Sequence, residues 1–157
     1  MASVKITVPD SDHLMRLVPY GQQLRDPDDE SFKGILGTAF SIRPSDKGGL
    51  SVTWVEHYGP RSLTTYSCAA SKFRDSLQSK KLGSKAYFAI GQAGIIRQTA
   101  TTYGKHIRLV HAPDGRNTGH VELRRFTDED RRLLDALAID VFTEHVAVAA
   151  LALLPSN

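Results

Sequence analysis

The sequence predicts an α+β fold in a single domain over residues 1–157. The expected architecture is a mixed, largely antiparallel sheet with two or three helices packed on it, ending in a long C-terminal helix. Three observations lead there. Short runs alternate apolar and polar residues at the period of a half-buried strand, as in 50–58 (LSVTWVEHY), where Leu50, Val52, Trp54, Glu56 and Tyr58 share one phase. Two longer stretches space their apolar residues as a helix does: Leu63, Tyr66, Ala69, Ala70, Phe73 and Leu77, then Leu133, Leu134, Leu137, Ala138, Val141 and Phe142. Finally, 157 residues with 41% hydrophobic and 24% charged content suit one ordinary globular core, which excludes a disordered chain or a collagen-like repeat.

The elements follow in order. Residues 13–18 (HLMRLV) read as a strand stopped by Pro19, and 25–30, polar and acidic around Pro27, as a loop. Residues 37–43 (GTAFSIR) alternate around Phe40 and Ile42, and the Gly-rich turn 44–49 joins them to 50–58 as an antiparallel hairpin. The first helix starts at Ser62 and stops by Gly83, with Lys72, Arg74, Lys80 and Lys81 off its apolar stripe and Cys68 beside it. Residues 86–90 (AYFAI) form a strand, and Gly91-Gln92-Ala93-Gly94 opens a helix over 95–103 that ends at Gly104. Strands 107–111 (IRLVH) and 120–126 (HVELRRF) flank a turn-rich loop. Thr127 caps the last helix, and Asp128, Glu129 and Asp130 lie in its first turn beside the positive helix end. The stretch 146–154 is apolar all round and needs cover from the domain or from another chain.

One cysteine, Cys68, excludes an internal disulfide and a cysteine-built zinc cluster. The N-terminal residues lack the charged leader and apolar run of a secretion signal, so a cytoplasmic location without a membrane is expected. The longest uncharged apolar run has nine residues, whereas crossing a bilayer takes about 20. Charge is segregated along the chain. Residues 61–125 hold twelve Lys+Arg against three Asp+Glu, while 1–60 hold six against eight and 126–157 two against six. The basic middle suits phosphates, whose neutralisation releases condensed counterions, or an acidic protein surface.

The strongest candidate site is 111–120 (HAPDGRNTGH). Pro113, Asp114, Gly115, Asn117 and Gly119 reverse the chain and draw the strand ends together, and with them His111 and His120. Histidine changes charge nearest neutral pH, so two of them flanking one spot can exchange protons as base and acid. Glu122, in phase with His120, or Glu56 can orient a ring. Arg116, with Arg108 and Arg124, offers planar forks for a phosphate, and Asn117 a donor to a developing oxyanion. The Gly91–Gly94 turn has a geometry that can aim backbone N–H groups at a phosphate. No spacing such as H-E-x-x-H calls for a metal, and no cofactor is expected. No G-x-S-x-G occurs, and Ser41, Ser51 and Ser62 have no evident base beside them in sequence.

The run Leu50-Ser-Val-Thr-Trp-Val-Glu56, with the later His111-x-Pro-x3-Asn117-x-x-His120, resembles a set of small uncharacterised bacterial proteins that share an S-V-x-W-x-E strand and an H-x-P-x3-N-x-x-H loop. The resemblance covers residues 35–125 and implies a bacterial source, without carrying an activity across. A fainter similarity is to ADP-ribosyltransferase-like domains, through the strand Leu14-Met-Arg16-Leu-Val18 and the small residues at 37–41. It implies Glu122 or Glu144 as the catalytic glutamate.

These features lead first to a non-catalytic interaction module, or a subunit of a bacterial multi-protein assembly of toxin–antitoxin or defence type. Its basic middle would meet nucleic acid or nucleotide phosphates, and its apolar tail a partner protein or a second copy. The alternatives are a metal-independent acid–base enzyme acting on RNA or a nucleotide through His111 and His120, and an ADP-ribosyltransferase-like domain.

Overall fold

In HLMRLV, Leu14, Arg16 and Val18 alternate with His13, Met15 and Leu17, so an extended backbone places apolar side chains on both of its sides. Such a strand belongs in the middle of a sheet. In the computed structural model, which describes residues 6–42 and 49–155, it is β1 (His13–Val18), paired on both sides. The other strands are β2 (Gln23–Arg25), β3 (Phe32–Ile35), β4 (Gly49–Trp54), β5 (Tyr87–Gln92), β6 (Arg108–His111), β7 (His120–Arg124) and β8 (Glu144–Ala147). The helices are α1 (Leu63–Ser76), α2 (Ala93–Thr102) and α3 (Arg131–Ala136).

Six strands form one sheet in the order β6-β7-β4-β1-β5-β8, and β2 with β3 makes a separate ribbon. The α+β class holds. Every pairing among the described residues is antiparallel, however, so the expected mixed sheet is corrected to an antiparallel one. The helical connections do not return to a parallel neighbour: α1 joins β4 to β5, which do not pair, and α2 carries the chain from β5 to the far edge at β6.

α1 lies on one face, where Tyr66, Ala69 and Ala70 pack with Met15, Phe88 and Ile90. Ser62 caps it by accepting from the Thr65 N–H at 3.1 Å. The opposite face carries the larger core, in which Leu14, Val18, Leu50, Val52, Val121 and Leu123 meet Ile96, Leu133, Leu137 and Phe142. α2 ends as expected, with Gly104 in the left-handed region at φ +76°.

Several expectations fail for identifiable reasons. Residues 37–40 form a 3₁₀ turn, which packs Ala39 and Phe40 into the core against Phe142. The expected hairpin with 50–58 is not formed among the described residues, and β4 pairs with β1 and β7 instead; of the expected turn 44–49, residues 44–48 lie outside the described residues and Gly49 opens β4. β4 stops at Trp54, because Val55 turns helical and the Glu56 carboxylate folds back onto His13. α1 ends at Ser76, whose hydroxyl donates to the Phe73 carbonyl and competes with the helix ladder, well before Gly83.

The last helix begins at Arg131 and finishes in a π turn, Leu137–Val141, so it is short and a strand follows it. Thr127 does not cap it. Thr127 and Asp130 satisfy each other's segment instead, the Thr127 N–H donating to Asp130 Oδ2 and the Glu129 N–H to Thr127 Oγ1. The apolar tail runs along α1, where the N–H groups of Ala152 and Leu154 donate to the buried Ser67 and Ser71 hydroxyls. Val148 is buried there, while Leu154 stays half exposed. No helix among the described residues is long and apolar enough to cross a membrane.

Candidate functional site

Strand alternation decides where the predicted histidines go. His111 pairs with Val121 across β6 and β7, so the side chain of His120, one residue earlier on β7, projects from the opposite face. The structure therefore does not bring His111 and His120 together.

His111 shares the phase of Leu109 and meets the edge of the Trp54 ring, centroids 5.4 Å apart, and the ring of His57 at 5.7 Å. Thr118 links the two imidazoles. Its carbonyl accepts from His111 Nε2 at 2.8 Å, and its hydroxyl lies 2.9 Å from His57 Nε2. Partial desolvation and the neighbouring His111 hold the His57 imidazole below its ordinary value.

The loop 112–119 is anchored by Asn117, which is fully buried. Its amide donates to Thr53 Oγ1 at 3.1 Å and its carbonyl accepts from the Tyr58 hydroxyl at 2.5 Å, while the Gly119 N–H donates to that same hydroxyl at 3.1 Å. Burial pushes the Tyr58 phenol up, which keeps its proton in place for the bond. Both ends of the Asn117 amide are thus committed to Thr53 and Tyr58, and it anchors the loop to β4 and the turn after it where an oxyanion donor was expected.

On the other face His120 donates from Nδ1 to the Ala112 carbonyl at 2.8 Å, and its Nε2 lies 2.8 Å from Ser51 Oγ. Ser51 therefore does have a base beside it, through a cross-strand neighbour that sequence order hides. Glu122 shares this face but is bound by Arg124 at 2.5 Å and orients neither histidine. Arg116 reaches the Asp75 carbonyl at 3.4 Å and ties the loop to the end of α1.

Glu56 does orient a histidine, the unexpected one. It accepts from His13 Nδ1 and from the His13 backbone N–H, both at 2.7 Å, and Arg61 donates to His13 Nε2 at 3.2 Å. Arg61 also approaches Glu144, which accepts from Tyr66. Arg16 braces the main chain by donating to the carbonyls of Ala39 and Ser51.

Arg108 takes part in a different feature. A cleft of about 620 Å³ runs along the edge strand β6, lined by Arg97, His106, Arg108, His111 and Arg125, with Ile6, Leu109 and Pro113 among its apolar walls. Among the described residues, no acidic one lines it. Arg97 is held in place by Asp10 and the Val8 carbonyl. Arg125 is exposed and sits in the left-handed region at φ +76°, a costly conformation for a residue with a side chain. The Gly91–Gly94 turn is not part of any such site. The Gly94 N–H donates to the Asp10 carbonyl and the Ala93 N–H to Asp12, and a Cβ on Gly91 would lie 3.0 Å from the Phe142 ring. Those glycines allow close packing within the chain.

No family model, curated protein or solved structure matches this chain. The functional reading rests on the site alone.

Proposed function

We propose that this chain is an interaction module that holds the phosphate backbone of a nucleic acid in a non-catalytic cleft along β6. The observation that carries this reading is the lining of that cleft: three arginines, of which Arg97 is paired with Asp10, and two histidines, with no carboxylate among the described residues that line it. Each phosphate neutralised there releases counterions, so binding should weaken steeply with salt. Apolar walls beside fixed cations also suit a ribose or base edge lying against the backbone contacts.

Fluorescence anisotropy with a short single-stranded RNA, titrated at several salt concentrations, tests it. The double variant Arg108→Glu/Arg125→Glu is expected to weaken binding at least roughly tenfold and to flatten the salt dependence by about one unit of slope per lost phosphate contact. Unchanged affinity in that variant removes the proposal, and binding of nucleotides but not of strands would shift it to a small-molecule ligand.

The apolar tail supports a protein partner or a second copy as the other contact. Leu63 and Leu154 stand half exposed at the rim of an apolar cleft of about 540 Å³ between α1 and the tail. Leu63→Lys with Leu154→Lys should lower the solution mass of any assembly seen by light scattering.

A second reading is favoured by one contact: His111 lines the basic cleft while its ring lies 5.7 Å from that of His57, tilted against it. An acid–base enzyme acting on RNA would then use His57 and His111 as its pair. Cleavage lost in His57→Ala and in His111→Ala, and retained in His120→Ala, separates this reading from simple binding.

A further inference from the structure

We propose that Ser51 is a nucleophile activated by His120, forming a second site on the face of the sheet opposite the His57–His111 pair, and that it accepts an acyl group from a carboxylic ester. Ser51 Oγ lies 2.8 Å from His120 Nε2, and His120 Nδ1 lies 2.8 Å from the Ala112 carbonyl. A carbonyl oxygen only accepts, so Nδ1 carries the ring proton and Nε2 presents its lone pair to the serine hydroxyl. A hydroxyl within reach of a base, and a base oriented by a third group, is the arrangement that makes serine reactive.

The three parts come from β4, from the first residue of β7 and from the residue that follows β6, and the sheet holds them in register. Thr53 pairs with His120 and Ser51 with Glu122, which makes Ser51 and His120 diagonal neighbours on one face. Ser51 and His120 are each only partly exposed, so the geometry is constrained while a small electrophile still has access. The Glu122 carboxylate opposite Ser51 is matched by the Arg124 guanidinium, which offsets its repulsion of a developing oxyanion.

In the reaction the Ser51 proton passes to His120 Nε2 as Oγ bonds to the acyl carbon. The carbon–oxygen bond to the alcohol then breaks, and the alcohol leaves with the proton from Nε2. Water, deprotonated in turn by Nε2, attacks the acyl-serine and releases a carboxylic acid, and the proton returns to Ser51.

The test uses the full chain and a fluorophosphonate, which reacts with activated serines, read by intact mass and peptide mapping. The expected result is a single adduct on Ser51, absent in Ser51→Ala and formed roughly 100-fold more slowly in His120→Gln, the scale of a lost general base. Circular dichroism establishes that each variant is folded. A second line replaces the nucleophile: Ser51→Cys in a Cys68→Ser background should react with iodoacetamide at neutral pH about tenfold faster than it does when His120→Gln is added, since a neighbouring base raises the thiolate fraction. An unlabelled Ser51 in the folded wild-type chain, labelling unaffected by His120→Gln, or an adduct confined to other serines overturns the proposal.

Discussion

The two faces of the β4–β7–β6 half of the sheet are built from the same strands and do different work. One face carries Leu50, Val52, Leu109, Val121 and Leu123, all buried in the larger core. The other carries Ser51, His120, Glu122 and Arg124, partly exposed and joined by hydrogen bonds. α1 explains the asymmetry. Its apolar cluster takes in β1, β5, β8 and the residues that follow β4 and β8, but no residue of β6 or β7, so among the described residues that half of the sheet has no cover from this cluster on the α1 side. An antiparallel sheet with one face packed and one face wet can hold its stability on one side and reactive groups on the other.

The comparison can be broken most directly by truncation on the packed side. Leu123 is fully buried, and Leu123→Ala should cost about 2–5 kcal/mol in urea unfolding. Ser51→Ala, one strand away on the other face, should stay under about 1 kcal/mol. Equal costs would mean that both faces carry the fold.

Next in size is Asn117→Ala, which strips the buried Thr53 hydroxyl and the half-buried Tyr58 hydroxyl of a partner and should destabilise by about 1–3 kcal/mol. Thermal unfolding measures it, and a loosened loop should also raise hydrogen exchange at Gly119.

A smaller effect has the opposite sign. Arg125 sits at φ +76°, so Arg125→Gly should stabilise the fold by roughly 1 kcal/mol while removing one cation from the cleft. Gains in stability together with weaker RNA binding would mark Arg125 as a residue kept for its contact.

The smallest expected effect is a pH dependence from His57. Its folded-state value lies below the ordinary 6.5, so below that pH the unfolded chain binds more protons than the folded one. Stability from this group is present above pH 6.5 and is lost as the pH falls through the lower folded-state value; replacing His57 with Gln should flatten that limb of the unfolding curve.

Much of the fold is legible because its signals are local. β1, the Ser62-started α1, the Gly104 stop of α2, β6, β7 and the apolar stripe through Phe142 all declare themselves by period or by a cap. The split of the histidine pair was legible too, on a finer reading. His111 follows the phase of Leu109, whereas His120 alternates with Val121 and Leu123, which assigns the two rings to opposite faces. Other features had no such signal. The alternation at 37–43 imitates a strand, and burial of Phe40 beside Phe142 turns it into a 3₁₀ segment. The meetings of Ser51 with His120, His57 with His111 and Glu56 with His13 join residues far apart in the chain, and no spacing motif announces them.

The sequence by itself determined which segments extend or coil, which of their sides are apolar, and that positive charge gathers in the middle of the chain. Those properties depend on neighbours a few residues away. Tertiary structure decided strand order, register and the pairing of the functional side chains, because these depend on which distant surfaces bury each other best. A shift of one residue in the β4–β7 register would separate Ser51 from His120 with no change in the sequence of either strand.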